Sequence, residues 1–193
     1  MSQKYDTAYK FTAKWEGALS DDAADRGGLT HWGVSTVFLT DFAKSYPETC
    51  KALGVNPLPV SRQTIKNLTK EQAKAIFKKA FWDKLQLDDM PIQMGVLLYD
   101  CAVNSGISQS VRLAQRGYNK ASGQSIAVDG KYGPITRSSL LQGNNETTWE
   151  AIIEARKNFY HQIVDRRESQ RVFLKGWLNR ANDLIKYVKT LEA

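Results

Sequence analysis

Apolar positions recur along this chain at helical spacing almost from its start. Over residues 5–16, Ala8, Phe11, Thr12 and Trp15 fall at i, i+3, i+4 and i+7, the signature of one buried helix face, and Gly17 follows as a stop. The next stretch, with Gly27, Gly28 and Gly33 among polar residues, has the glycine density of tight turns or a short hairpin. From Val34 to about Leu53, Phe38, Phe42 and Tyr46 recur four apart and predict a second helix, which Pro47 kinks or ends early. The segment LGVNPLPVSRQ, with Pro57 and Pro59, reads as a loop.

Thr69 and Gln72 form a capping box, and the stripe Ala73, Ile76, Phe77, Ala80, Phe81 behind it predicts a core-facing helix, with Phe77, Phe81 and Trp82 as core. After Pro91 the run IQMGVLLYDCAV is apolar nearly all round, which only a buried central helix tolerates. Asp100 inside that run would be costly unless hydrogen-bonded, so it is expected either to cap a neighbouring helix or to line the cleft, with the structural role favoured. Asn104, Ser105 and Gly106 close this helix, and Ser108 is expected to cap the next, which buries Val111, Ala114, Tyr118 and Ala121. Two turn signals follow, Asp129-Gly130 and Gly133-Pro134, with Pro134 suited to a helix start. Two long amphipathic helices end the chain, one carrying Trp149, Ile152, Ile153, Tyr160, Ile163 and Val164, the other Trp177, Ala181, Leu184, Ile185 and Val188. The expected fold class is mainly α, with one small hairpin near residues 25–32.

The motif around Glu16 carries the chemistry. Glu16 lies at the edge of the first helix face beside Trp15, and a loop folding back over it would bring Asp25 and Thr30 near. Partial desolvation there would favour the protonated carboxyl, and an acid facing a second acid and a hydroxyl is the arrangement glycosidic hydrolysis uses. The pattern E-G, seven residues, D-x-G-G-x-T-x-x-G-V-S, read from Glu16 to Ser35, resembles the signature of glycoside hydrolase family 108, the peptidoglycan-cleaving N-acetylmuramidases. The spacing of Glu16, Asp25 and Thr30 is also similar to the Glu, Asp, Thr triad of phage-type lysozymes. Ala18 stands where the family often has a second glycine, a mild departure. YDCAVNSG (99–106) and DGKYGPIT (129–136) resemble the family's companion peptidoglycan-binding segment.

The resemblance implies a lysozyme-like helical fold with a small hairpin or loop at the active site. It places a muramidase region over 1–95 and a helical peptidoglycan-binding region over 96–193. Catalysis would fall to Glu16, Asp25 and Thr30, and substrate contacts to Trp32, Asn104, Ser105, Asp129, Tyr132 and Thr136. For Asp25 two roles stay open, gripping a water for direct attack or stabilising positive charge; a hydroxyl partner at Thr30 favours the water and hence inversion. Trp32 suits a hydrophobic plug or a sugar platform equally.

Charge and composition then narrow the field. A chain of 193 residues, 42% hydrophobic and 24% charged, suits one domain or two small ones. The net charge of +7 is unevenly spread: residues 151–193 carry 9 basic and 5 acidic side chains, against 5 and 7 in residues 1–50. Such a surface suits a polyanion, and a non-catalytic wall-binding or nucleic-acid-binding module is the competing reading. Basic and acidic residues are interleaved, however, with no arginine-rich arm or groove-entering helix, so nucleic acid is not expected as a partner. Cys50 and Cys101 in apolar contexts read as buried free thiols. His31 and His161 lack a second ligand at metal spacing and Ala23-Ala24 interrupts any EF-hand pattern, so no metal or other cofactor is expected. No segment has the apolar length of a signal peptide or membrane span. The expectation is a monomer made in the cytoplasm that reaches bacterial peptidoglycan through a holin or export apparatus.

Overall fold

The computed structural model describes residues 2–16, 29–55 and 58–192, with the backbone of 19–20. Asp25, with Gly17, Gly27 and Gly28, lies outside the described residues. The architecture is mainly α, as the apolar periodicity predicts, and divides into two compact units, Thr12–Lys84 and Met1–Phe11 with Leu85–Ala193. The boundary falls within the first helix, α1 (Gln3–Glu16).

In the unit Thr12–Lys84, three short strands follow α1: β1 (Leu19–Ser20), β2 (Thr30–His31) and β3 (Val34–Ser35). They pair antiparallel in the order β1-β2-β3, with Thr30 opposite Ser35 and His31 opposite Val34. Only Trp32 and Gly33 remain between β2 and β3, and both have positive φ, 52° and 78°. That is the requirement of a two-residue type I′ turn.

Ser35 caps α2 (Thr36–Ser45), its side chain accepting from the Phe38 N–H at 3.1 Å. The single helix expected from Val34 to Leu53 is instead a strand and two helices. Val34 and Ser35 pair with β2, and Tyr46 (φ −136°, ψ 58°) breaks the helix so that Pro47 opens α3 (Pro47–Ala52) at its first turn. The expected loop through residue 63 also stops early. Ser61 and Thr64 make a reciprocal capping box that starts α4 (Arg62–Lys66).

Thr69 and Gln72 cap α5 (Lys70–Phe77) as their spacing predicts, and α5 runs on into a π-helical turn, Lys78–Trp82. Phe38, Phe77 and Phe81 stack on one another at centroid distances of 5.6–5.9 Å, over a core that includes Leu39, Phe42, Cys50, Ile76 and Trp82.

The other unit is built on α6 (Ile92–Ser105), buried continuously from Gln93 to Ala102. Pro91 is its N-cap, one place outside the first turn. Gly106 at φ 82° ends α6 and is also the N-cap of α7 (Ile107–Ser122). Ser108 therefore lies inside α7, because one left-handed residue makes the whole corner. α8 (Pro134–Gln142), α9 (Glu146–Arg166) and α10 (Arg171–Lys189) complete the unit. Helices α7 and α9 meet at Gly117, where a Cβ would stand 2.6 Å from the Ile152 amide nitrogen.

Both cysteines are free and buried. Among the described residues no helix is long and apolar enough to cross a membrane.

Candidate active site

Glu16 is the last residue of α1 and half-buried. What fixes its surroundings is the turn between β2 and β3. A Cβ at Gly33 would lie 2.9 Å from Glu16 Cβ, 3.2 Å from its Cγ and 3.2 Å from Phe77 Cζ. The hairpin tip thus rests directly on the glutamate stem, with the Phe77 ring alongside. Only glycine satisfies both demands at this position, the positive φ and the missing side chain. Thr30 lies on β2 of the same hairpin, paired between Ser20 and Ser35.

Gly33→Ala should therefore displace Glu16. We expect it to cost about 1–2 kcal/mol from backbone strain, and to lower hydrolysis by more than that destabilisation accounts for. Urea unfolding beside a peptidoglycan-clearing assay checks both, and unchanged clearing by the folded variant would show that the tip does not position the glutamate.

Trp32 occupies the other turn position, a conformation that a bulky side chain adopts rarely and at a cost. Its ring stacks on His31 at 5.1 Å with the Lys70 ammonium 6.0 Å from its centroid, and His31 Nδ1 lies 3.2 Å from the Ile65 carbonyl. The indole is thus in contact with His31 and near the Lys70 ammonium at the tip.

The remaining expected site residues belong to the second unit. Asp129 and Thr136 hold their own loop: Gln115 Nε2 donates to Asp129 Oδ1 and to Thr136 Oγ1, each at 2.9 Å, and the Gly130 N–H donates to Gln115 Oε1 at 3.0 Å. The Lys131 N–H also donates to Asp129 Oδ1, and this bond, with that from Gln115, holds the Asp129 carboxyl below the usual range. Gln115 is the hub the sequence does not advertise. Its replacement by leucine leaves three polar partners short and should cost about 2–3 kcal/mol in urea unfolding; a loss under about 0.5 kcal/mol would mean the loop is held otherwise.

Tyr132 lines a shallow cavity of about 310 Å³ with Gly133, Pro134, Arg137 and Leu141. Its buried hydroxyl has no hydrogen-bond partner among the described residues, and burial pushes its pKa up to about 12.

Asn104 and Ser105, at the end of α6, are half-exposed. Asn104 Oδ1 accepts from Tyr160 Oη at 2.6 Å and from Ser105 Oγ at 3.1 Å. Behind Tyr160 lies a buried ion cluster: Arg156 Nη1 donates to Asp100 Oδ2 at 2.7 Å and Arg180 Nη2 to Asp100 Oδ1 at 2.8 Å. Asp100 therefore has the structural role favoured for it, held by two arginines rather than as a helix cap. Tyr160 and Arg156 lie 56 residues beyond their partners, and no local pattern pointed to them.

The family profile described as Glycosyl hydrolase 108 matches residues 9–106, and the profile described as Predicted Peptidoglycan domain matches residues 109–182. The solved structure titled "Structure of Brucella abortus SagA" is similar in fold: the TM-score is 0.70 at 22% identity, over 96% of this chain and 93% of that one. No curated protein matches the chain. With Glu16, the hairpin and α6 all inside the first match, this chain belongs to the glycosyl hydrolase 108 family and is a peptidoglycan-directed glycoside hydrolase.

Proposed function

We propose that the chain is a lysozyme-type N-acetylmuramidase that cuts the β-1,4 bond between N-acetylmuramic acid and N-acetylglucosamine, with Glu16 as the general acid. The observation that carries the reading is the seating of the hairpin tip on Glu16, which sets the carboxyl at the end of α1 against Gly33 and Phe77. Protonation of the leaving oxygen by Glu16 lets the sugar develop oxocarbenium character. Thr30 and Asp25 are assigned to the attacking water, since a threonine hydroxyl without an activating base is too weak to attack by itself. Asn104, Ser105, Asp129, Tyr132, Thr136 and Trp32 are assigned to glycan binding, Asp129 and Thr136 by shaping their loop. The same reading gives an endolysin-like role, action as a monomer, and passage to the wall through a holin or export apparatus.

The test is turbidity loss of purified peptidoglycan with mass analysis of the released ends. New reducing N-acetylmuramic acid ends are expected. Reducing N-acetylglucosamine ends or freed peptide amines would overturn the assignment of the bond.

A further inference from the structure

The amide of Asn104 has one allowed orientation, and the reason lies three residues deep. Arg156 Nε–H can only donate, and its partner is the Tyr160 hydroxyl oxygen. Tyr160 therefore spends its own proton on Asn104, which must present its oxygen there, and Ser105 Oγ donates to that same oxygen. The Asn104 Nδ2 donors are turned away from all three, with no partner among the described residues. Burial keeps the Tyr160 phenol protonated, so the arrangement holds across the physiological range.

The ring of Tyr160 continues into an aromatic row. Trp177, half-exposed on α10, packs on Tyr160 at 5.3 Å, and Phe173, one turn earlier, stacks on Trp177 at 5.9 Å and 27° between planes. Phe173 is 52% exposed and its neighbour Val172 is 77% exposed, among the few large apolar side chains left in solvent among the described residues. Arg171 and Lys175 flank them. Stacked rings running toward a fixed amide donor provide what an N-acetylated sugar chain offers surfaces for: apolar pyranose faces for the rings and an acetamido carbonyl for the N–H. A lipid surface would use the exposed rings and cations but has no use for the oriented amide.

We infer that Phe173, Trp177 and Asn104 form a glycan subsite in the C-terminal part of the chain, taking a β-1,4-linked run of N-acetylated hexosamines, with Tyr160 as a positioning residue that aims the Asn104 amide at an acetamido carbonyl. This rests on the peptidoglycan reading above and gives it an address: Tyr160, Phe173 and Trp177 all fall within the matched segment 109–182.

The experiment uses the full chain carrying Glu16→Gln and calorimetric titration with the tetrasaccharide of N-acetylglucosamine, its de-N-acetylated counterpart, and phosphatidylglycerol vesicles. Phe173→Ala, at an exposed position that leaves the fold intact, is expected to weaken tetrasaccharide binding about tenfold, the loss of one stacked ring. Asn104→Asp, which removes the amide donor, and Tyr160→Phe, which frees the amide to flip, are expected to erase most of the preference for the N-acetylated over the de-N-acetylated sugar. A merely structural role for Tyr160 would lower stability without moving that ratio.

Unchanged binding by Phe173→Ala, or an unchanged ratio in Asn104→Asp, overturns the proposal. A loss confined to the vesicles also overturns it and makes the patch a membrane contact. Cleavage of the tetrasaccharide by the Glu16→Gln chain would fault the catalytic assignment alone, because the comparison between Phe173 and Ala at equal sugar concentration stands without it.

Discussion

Glu16→Gln should leave a folded protein that clears peptidoglycan at least ~10²-fold more slowly, the ordinary loss when a positioned general acid is removed. The amide has the shape of the acid, so the contacts of its Cβ and Cγ with the hairpin tip at Gly33 persist. What disappears is the transferable proton. The half-burial of Glu16 at the end of α1 makes the substitution a fair one, since an amide there replaces a carboxyl without inserting a new atom. Glu16→Asp is the companion: it keeps the proton but withdraws the carboxyl by one methylene, and should lose activity for geometric reasons alone. If Glu16→Gln clears the wall at a tenth of the parent rate, the acid lies elsewhere. Unfolding midpoints of the two variants should both stay near that of the parent, separating lost chemistry from lost fold.

Elements whose determinants are local were legible in the sequence. The capping box at Thr69 and Gln72, the glycine turn after β2 and the all-round apolar run of α6 each depend on residues within a few positions of one another. Where the reading failed, a second influence overrode the period. Phe38 and Phe42 do lie on a helix, yet Val34 and Ser35 are drawn into pairing with β2, and Tyr46, at φ −136° and ψ 58°, breaks the helix and lets Pro47 begin a new one. The α4 signal, Ser61 with Thr64, was present but hidden by the prolines before it.

The candidate site divides the same way. Glu16, Thr30 and Gly33 sit in one local motif. Asn104 was reachable only through the family resemblance, and the residues behind it were not reachable at all, because Tyr160 and Arg156 reach α6 from α9, each 56 residues beyond its partner. Phe173 gave a faint sign, an apolar run of Val172, Phe173 and Leu174 between Arg171 and Lys175, that periodicity alone treats as noise.

The largest stability effect is expected from Asp100→Asn. The carboxylate is wholly buried between two guanidinium groups, receiving Arg156 Nη1 on one oxygen and Arg180 Nη2 on the other, with Arg180 Nε 3.2 Å from both. An asparagine keeps one acceptor but turns an NH₂ toward the opposite arginine, so donors face donors and two buried cations lose their counter-charge. Removing one partner of such a cluster costs about 3–5 kcal/mol, a large share of the ~5–15 kcal/mol that holds a domain together.

Burial alone would raise the Asp100 pKa; Arg180 and Arg156 outweigh it and bring it down to about 2, from a usual value of 3.8. A depressed carboxylate stabilises the fold fully above its unfolded pKa, and that contribution drains as pH falls from about 4 toward 2, on the order of 2 kcal/mol in all. The parent should therefore lose stability over that window while Asp100→Asn, already without it, shows a flatter profile. Urea midpoints between pH 2 and 7 decide the matter, and a loss under about 1 kcal/mol at pH 7 would mean that the arginines find other partners. Replacing Asp100, Arg156 and Arg180 together by apolar residues of similar volume should recover much of the lost stability, since no charge is then stranded. That triple variant separates the two duties of the cluster: it restores the core, yet with Arg156 gone nothing forces the Tyr160 proton onto Asn104, and the preference for N-acetylated sugar should not return.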